Sequence, residues 1–237
     1  MAKELSHSQP EKEKTKNGLT NNYKPILLLG KTCSLLITIM GIAYFFLILG
    51  LAITGNFKLP PPELAQNMGA VVDLTISPLI IILIGVLYSL AQQEKKVFAL
   101  IGLVFSSLFT VVVYINRVTQ LTVVRQSIST GQTNGLHWFL PYEPHSVMFA
   151  MEITGFSFFL SIALLFVAFS LSGSSTKKIK LILITYSILG LISFISYLFN
   201  SILVNIGFIA WGLILYIATW LLFKYFDNLN ISLKMNR

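Results

Sequence analysis

Long apolar runs separated by short polar breaks dominate the chain. Six of these runs are close to the roughly 20 residues that an α-helix needs to cross the hydrocarbon core of a bilayer, and none has Lys or Arg in its interior. The six runs lie at about 33–54, 71–91, 97–116, 147–171, 179–199 and 204–224. They predict an all-α fold, a bundle of six transmembrane helices.

The last two runs are almost continuous, and only Asn200, Ser201 and Asn205 interrupt the stretch 179–224. A single helix over that stretch would be about 69 Å long, about twice the thickness of the hydrocarbon core. The chain must therefore fold back, and Asn200 with Ser201 predicts the turn.

Hydrophilic segments flank the predicted bundle. Residues 1–31 are polar and of mixed charge, which is typical of a flexible tail, and we expect the first apolar run to be a retained anchor. The transmembrane domain is predicted over 32–226, followed by a short tail over 227–237. A long outer loop over 117–146 joins the third and fourth spans, and it begins as an amphipathic continuation of the third helix.

Composition agrees with a membrane protein. Hydrophobic residues make up 55% of the chain and charged residues 11%, against roughly 25% charged in soluble domains. The net charge of +8 does not indicate nucleic-acid binding, because the basic residues punctuate apolar runs rather than cluster with aromatics. The single cysteine, Cys33, excludes an internal disulfide.

The distribution of Lys and Arg predicts the orientation. With both termini in the cytoplasm, 14 of the 17 basic residues fall on the cytoplasmic side, and only Lys58, Arg117 and Arg125 fall outside. Positive residues favour the cytoplasmic side of a membrane. We therefore expect a multi-pass protein of the cell membrane with both termini inside.

Two acidic residues lie inside predicted spans, where ionised side chains are costly. Asp73 falls in the first turn of the second span, where the positive end of the helix dipole would stabilise a carboxylate. Glu152 lies too deep in the fourth span for that explanation and needs a partner. We expect Arg117, or secondly Arg125, to pair with Glu152, with Asp73 as a third member of the cluster.

The fourth span has two faces that avoid lipid. A stripe of small residues, Ala150, Thr154, Ser157 and Ser161, predicts close approach of another helix. Glu152 lies on the opposite side. A helix with two such faces belongs in the middle of the bundle.

The extension of the third span carries a further stripe, formed by Asn116, Gln120, Val123 and Ser127, with Arg117 beside it and Arg125 opposite. Seven polar residues from these segments form a hypothetical outward-facing binding pocket: Asp73, Asn116, Arg117, Gln120, Arg125, His145 and Glu152.

The run NRVTQLTVVR at 116–125, followed by Pro144-His145-Ser146 and by Glu152 with Gly155, resembles a group of uncharacterised prokaryotic six-span membrane proteins. The resemblance covers roughly residues 35–224. It implies the six-helix fold and no activity.

No motif for metal binding, a nucleophilic elbow or a phosphate loop occurs, and we expect no cofactor and no metal site. Besides the lipid bilayer, the expected partner is either a small molecule or another membrane protein. One hypothesis is ligand binding in the outward-facing pocket. The alternative is a non-catalytic scaffold or regulatory subunit of a membrane complex, and an intramembrane enzyme ranks third.

Reporter fusions test the orientation. Fusions after Lys96, Lys178 and Arg237 should report a cytoplasmic location, and fusions near Lys58 and Gly131 an external one, because the basic residues hold their loops inside. An external C-terminus would contradict the turn at Asn200.

Overall fold

The computed structural model describes residues 9–56, 61–141 and 143–235, so Lys58 and Arg237 lie outside the described residues. Within these ranges the chain has helices and no strand, which confirms the all-α prediction. Six helices are long and apolar enough to cross a membrane. They are α1 (Lys24–Ile53), α2 (Glu63–Leu90), α3 (Gln93–Ser129), α4 (Val147–Ser170), α5 (Ser174–Leu198) and α6 (Ile202–Ile231).

The helices are longer than the apolar runs from which they were predicted. The helix that contains α1 begins at Gln9, so the predicted boundary at residue 31 falls inside it. Helix α2 begins at Glu63 rather than near residue 71, and the last helix continues to Met235. Backbone hydrogen bonding extends a helix through polar turns, whereas a count of apolar residues ends where the apolar run ends.

Each helix packs against the next in sequence, and α1 packs against α6 to close the bundle. Lys31 of α1 forms an ion pair with Asp227 at 2.6 Å, and the hydroxyls of Thr38 and Thr219 lie 2.8 Å apart. We call the end that carries the α3–α4 connection the loop end. The opposite end, where α1 begins and α6 ends, is the lysine end.

Helix α4 occupies the middle of the bundle, as its two polar faces predicted. Within its most apolar window 61% of the residues are buried, against 17% for α1. Ser157 and Ser161 are fully buried against α5, where Ser157 Oγ donates to Ser193 Oγ at 3.2 Å. The predicted close approach is therefore confirmed at these two serines.

Among the described residues, three helices contain a π-helical turn: Gln120–Val124 in α3, Ile153–Phe159 in α4 and Ala210–Ile214 in α6. A π-turn inserts one residue and rotates the residues that follow. For this reason Val124 is 4% exposed and Val123 is 53% exposed, so the predicted stripe through Val123 is wrong. In α4 the carbonyl of Phe156 accepts a hydrogen bond from the Tyr186 hydroxyl at 3.1 Å.

The chain turns back between α5 and α6 where the sequence predicted. Helix α5 ends at Leu198, and α6 begins at Ile202. Between them Asn200 has a φ of 52°, in the left-handed region that Asn tolerates better than most residues. The turn separates two spans and confirms the count of six.

The close approach of α4 and α5 predicts a sensitive glycine. A Cβ on Gly190 would lie 3.1 Å from the Ser157 carbonyl oxygen and would collide with the Ser161 hydroxyl. Gly190→Ala should therefore lower the free energy of unfolding in detergent by about 1–3 kcal/mol. The matched control is Gly85→Ala in α2, where a Cβ would meet no atom within 4 Å. Equal stability of the two variants would contradict the tight packing.

Candidate functional site: a buried polar cluster on three helices

Arg117 of α3 links three helices near the loop end. Its Nη2 lies 2.7 Å from Asp73 Oδ2 on α2 and 2.8 Å from Glu152 Oε1 on α4. Its Nε also donates to Asp73 Oδ2 at 2.9 Å. The predicted pairing of Glu152 with Arg117, with Asp73 as the third member, is confirmed.

The ion pairs lie largely away from solvent. The side chains of Arg117, Glu152 and Asp73 are 5%, 10% and 19% exposed, so the cluster opens slightly on the Asp73 side. A guanidinium is suited to this position because its planar fork presents several donors to more than one carboxylate. Charges at this depth would be costly alone, and mutual pairing offsets part of the cost.

The position of Asp73 corrects one expectation. The sequence placed it in the first turn of a helix beginning near residue 71, stabilised by the helix dipole. Because α2 begins at Glu63, Asp73 lies almost three turns inside the helix, beyond the reach of the dipole at its end. Its ion pair with Arg117 stabilises the carboxylate instead.

Amide side chains surround the ion pairs. Arg117 Nη1 donates to Gln120 Oε1 at 3.1 Å, and Gln120 Nε2 donates to the Gln66 carbonyl at 3.4 Å. Gln66 in turn donates through Nε2 to the Pro61 carbonyl at 2.7 Å. This chain of hydrogen bonds ties the start of α2 to the cluster. The sequence did not point to Gln66, because the second apolar run begins only near residue 71.

Asn116 forms a second link between α3 and α4. Its Nδ2 donates to the Met148 carbonyl at 3.2 Å, and the residue is 2% exposed. In the part of the chain that the structure describes, Asn116 Oδ1 is buried without a hydrogen-bond partner. The amide is therefore a polar group beside the ion pairs that has spare capacity to accept a hydrogen bond.

Local backbone features position the cluster. Ser146 caps the start of α4, where its hydroxyl oxygen accepts from the Phe149 N–H at 3.0 Å. Glu152 is the last residue before the π-turn of α4, and Gln120 is the first residue of the π-turn of α3. Such turns occur frequently at functional sites, because they redirect side chains within a continuous helix.

Two of the predicted pocket residues lie elsewhere. Arg125 and His145 are both exposed, Arg125 beyond the π-turn of α3 and His145 in the turn that precedes the cap of α4. The structure therefore brings together Asp73, Arg117, Gln120 and Glu152, with Asn116 adjacent, and leaves the other two at the surface.

The composition of the cluster limits its chemistry. Two carboxylates face one guanidinium, which leaves an excess of one carboxylate among the three ionisable groups. Among the described residues, no group of three His, Cys, Asp or Glu side chains is close enough to hold a metal ion. The arrangement can fix helices, and its exposed edge at Asp73 can attract a cation.

Comparisons with known proteins add no family to this picture. No family model, no curated protein and no solved structure matches the chain. The resemblance carried by residues 116–155 stays a prediction, and function is inferred from the site.

Substitutions in the cluster should lower the free energy of unfolding by different amounts. Arg117→Gln leaves two buried carboxylates without their cation and should cost about 3 kcal/mol of unfolding free energy, whereas Glu152→Gln leaves a neutral Asp73–Arg117 pair and should cost less. Unfolding titrations in detergent micelles measure both. The control, Arg125→Gln at the surface, should change stability by about 0.5 kcal/mol or less.

A double-mutant cycle tests the pairing itself. Because Arg117 and Glu152 are in contact, the double variant should lose less stability than the sum of the two single variants. Additive losses would show that the ion pair contributes no coupling energy.

Proposed function

We propose that this multi-pass membrane protein is non-catalytic, and that it acts as a scaffold or regulatory subunit for other membrane proteins. The observation that carries the proposal is the closed pairing of Arg117 with Asp73 and Glu152. A group that performs acid–base chemistry or holds a ligand needs a face that substrate can reach. Here the central cation and the deepest carboxylate point at each other and are nearly shielded from solvent.

The cluster suits a protein that presents a fixed surface. It joins α2, α3 and α4 at the loop end, and the hydrogen bonds through Gln120 and Gln66 extend the link to the start of α2. Polar contacts between transmembrane helices specify which helices pair and in which register. A fixed loop end is a suitable docking surface for a membrane protein partner.

A second function is favoured by one observation, the excess carboxylate. A buried site with more negative than positive groups attracts a small cation, and Asp73 supplies an edge that is 19% exposed. Asn116 Oδ1, buried without a described partner, is an additional oxygen near the same helices. The ligand in this case is a monovalent cation entering from the loop end.

Thermal unfolding of the purified full chain separates the two functions. If the polar cluster only fixes helices, the protein should unfold at the same temperature in NaCl, KCl and choline chloride of equal ionic strength. A cation site should give a higher unfolding temperature with one metal ion, and this gain should disappear in Asp73→Asn. The control is Glu63→Gln, an exposed carboxyl in the first turn of the same helix.

The scaffold role has its own test. In membranes cross-linked at native abundance, the chain should migrate as part of an assembly of defined mass, and Arg117→Gln should reduce that assembly while Arg125→Gln leaves it intact. A chain that remains monomeric under these conditions would contradict the scaffold role, whatever the outcome with cations.

A further inference from the structure

The lysine end contains a cavity that the polar cluster does not involve. Its volume is about 190 Å³, roughly six times the volume that a water molecule occupies in the liquid. The two short connections at this end, α2–α3 and α4–α5, line it together with the last turns of α6. The cavity therefore lies where the apolar helices end, and we expect lipid headgroups at this level.

The lining of this cavity is amphiphilic. Leu87, Leu90 and Leu171 provide the apolar part, and Gln92, Ser172 and Tyr225 provide polar groups. Ser172 Oγ is buried and has no hydrogen-bond partner in the described part of the chain. A buried hydroxyl without a partner costs free energy unless a water or a ligand satisfies it. The lining thus suits a ligand that has both a polar and an apolar portion.

The positive charge around the cavity favours a negatively charged ligand. Between residues 24 and 231, eight lysines and two acidic residues lie at the lysine end, and Asp227 is already paired with Lys31. The lysines are Lys24, Lys31, Lys95, Lys96, Lys177, Lys178, Lys180 and Lys224.

Lysines lie close in sequence to three segments that line the cavity. The Lys95 N–H donates to the carbonyl of Gln92 at 2.9 Å, and Lys224 directly precedes Tyr225. Lys177 and Lys178 begin the α-helical part of α5, after the 3₁₀ turn Ser174–Thr176 that follows the connection containing Ser172. Lysines in the first turn of a helix oppose the helix dipole, so an anion beside them is stabilising.

We propose that this cavity binds the headgroup of an anionic phospholipid from the adjacent leaflet. Lysines at the rim attract the phosphate, Ser172 and Gln92 donate hydrogen bonds to its oxygens, and the leucines contact the start of an acyl chain. Basic pockets between transmembrane helices are a recognised way of binding anionic headgroups. The proposal is independent of the polar cluster at the loop end.

Native mass spectrometry of the purified full chain tests the proposal with phosphatidylglycerol and phosphatidylcholine as probes. Phosphatidylglycerol should bind more tightly. Ser172→Leu removes the unpartnered hydroxyl and occupies part of the cavity, so it should abolish this preference, whereas Ser175→Leu, at an exposed position in the first turn of α5, should retain it. Equal binding of the two lipids, or unchanged binding by Ser172→Leu, would overturn the proposal.

A charge variant keeps the test valid if Ser172→Leu fails to fold. Lys95→Gln should weaken phosphatidylglycerol binding about fivefold, as expected for one lysine near an anionic surface. The control is Lys24→Gln, at the same end but on α1, which lines no part of the cavity. Equal losses in the two variants would show a general attraction to negative lipid and no site.

Inorganic phosphate distinguishes a lipid headgroup from a soluble anion. At constant ionic strength, phosphate should not displace phosphatidylglycerol, because it lacks the acyl chain that contacts the leucines. Displacement by millimolar phosphate would identify a soluble phosphate ligand and reject the lipid.

Discussion

A guanidinium inside a six-helix bundle constrains much of the architecture around it. Arg117 is 5% exposed in its side chain and cannot be neutralised by losing a proton, so its charge must be met by acceptors from neighbouring helices. Asp73 and Glu152 supply these acceptors from α2 and α4. Helices whose polar groups must meet cannot slide or rotate freely against one another, and the cluster therefore sets the register of α2, α3 and α4.

The π-turns show how the helices accommodate this requirement. A regular α-helix through residues 116–127 would place Val123 on the same face as Asn116 and Gln120. The π-turn Gln120–Val124 buries Val124 instead and leaves Arg117 and Gln120 directed at the cluster. In α4 regular helical spacing already puts Glu152 and the two serines on opposite faces, so the helix presents a carboxylate to α3 and two serines to α5. The polar contact and the close packing therefore use different faces of one helix.

The sequence was sufficient for the architecture and for the central ion pairs. Six apolar runs gave six helices, and the cost of an unpaired Glu152 in a span was enough to identify Arg117 as its partner. Helix ends were predicted less well, because polar turns at Glu63 and Gln9 extend helices beyond their apolar portions. The π-turns could not be predicted from the spacing of polar residues, because an inserted residue changes the face only of the residues that follow it. Gln66 was missed because it lies in the polar start of α2, and Val124 was missed because it lies in the π-turn of α3.

The loop end and the lysine end of the bundle differ in how their charges are paired. At the loop end the buried charges satisfy one another inside the protein, so that end needs no lipid to stabilise them. At the lysine end eight lysines outnumber two acidic residues between residues 24 and 231, so pairing within the chain, as between Lys31 and Asp227, meets only part of the positive charge. The predicted orientation places these lysines on the cytoplasmic side, and the amphiphilic cavity among them is where we propose that an anionic headgroup binds. Charge at the loop end is thus balanced inside the bundle, whereas at the lysine end an excess of positive charge is left for partners outside the chain.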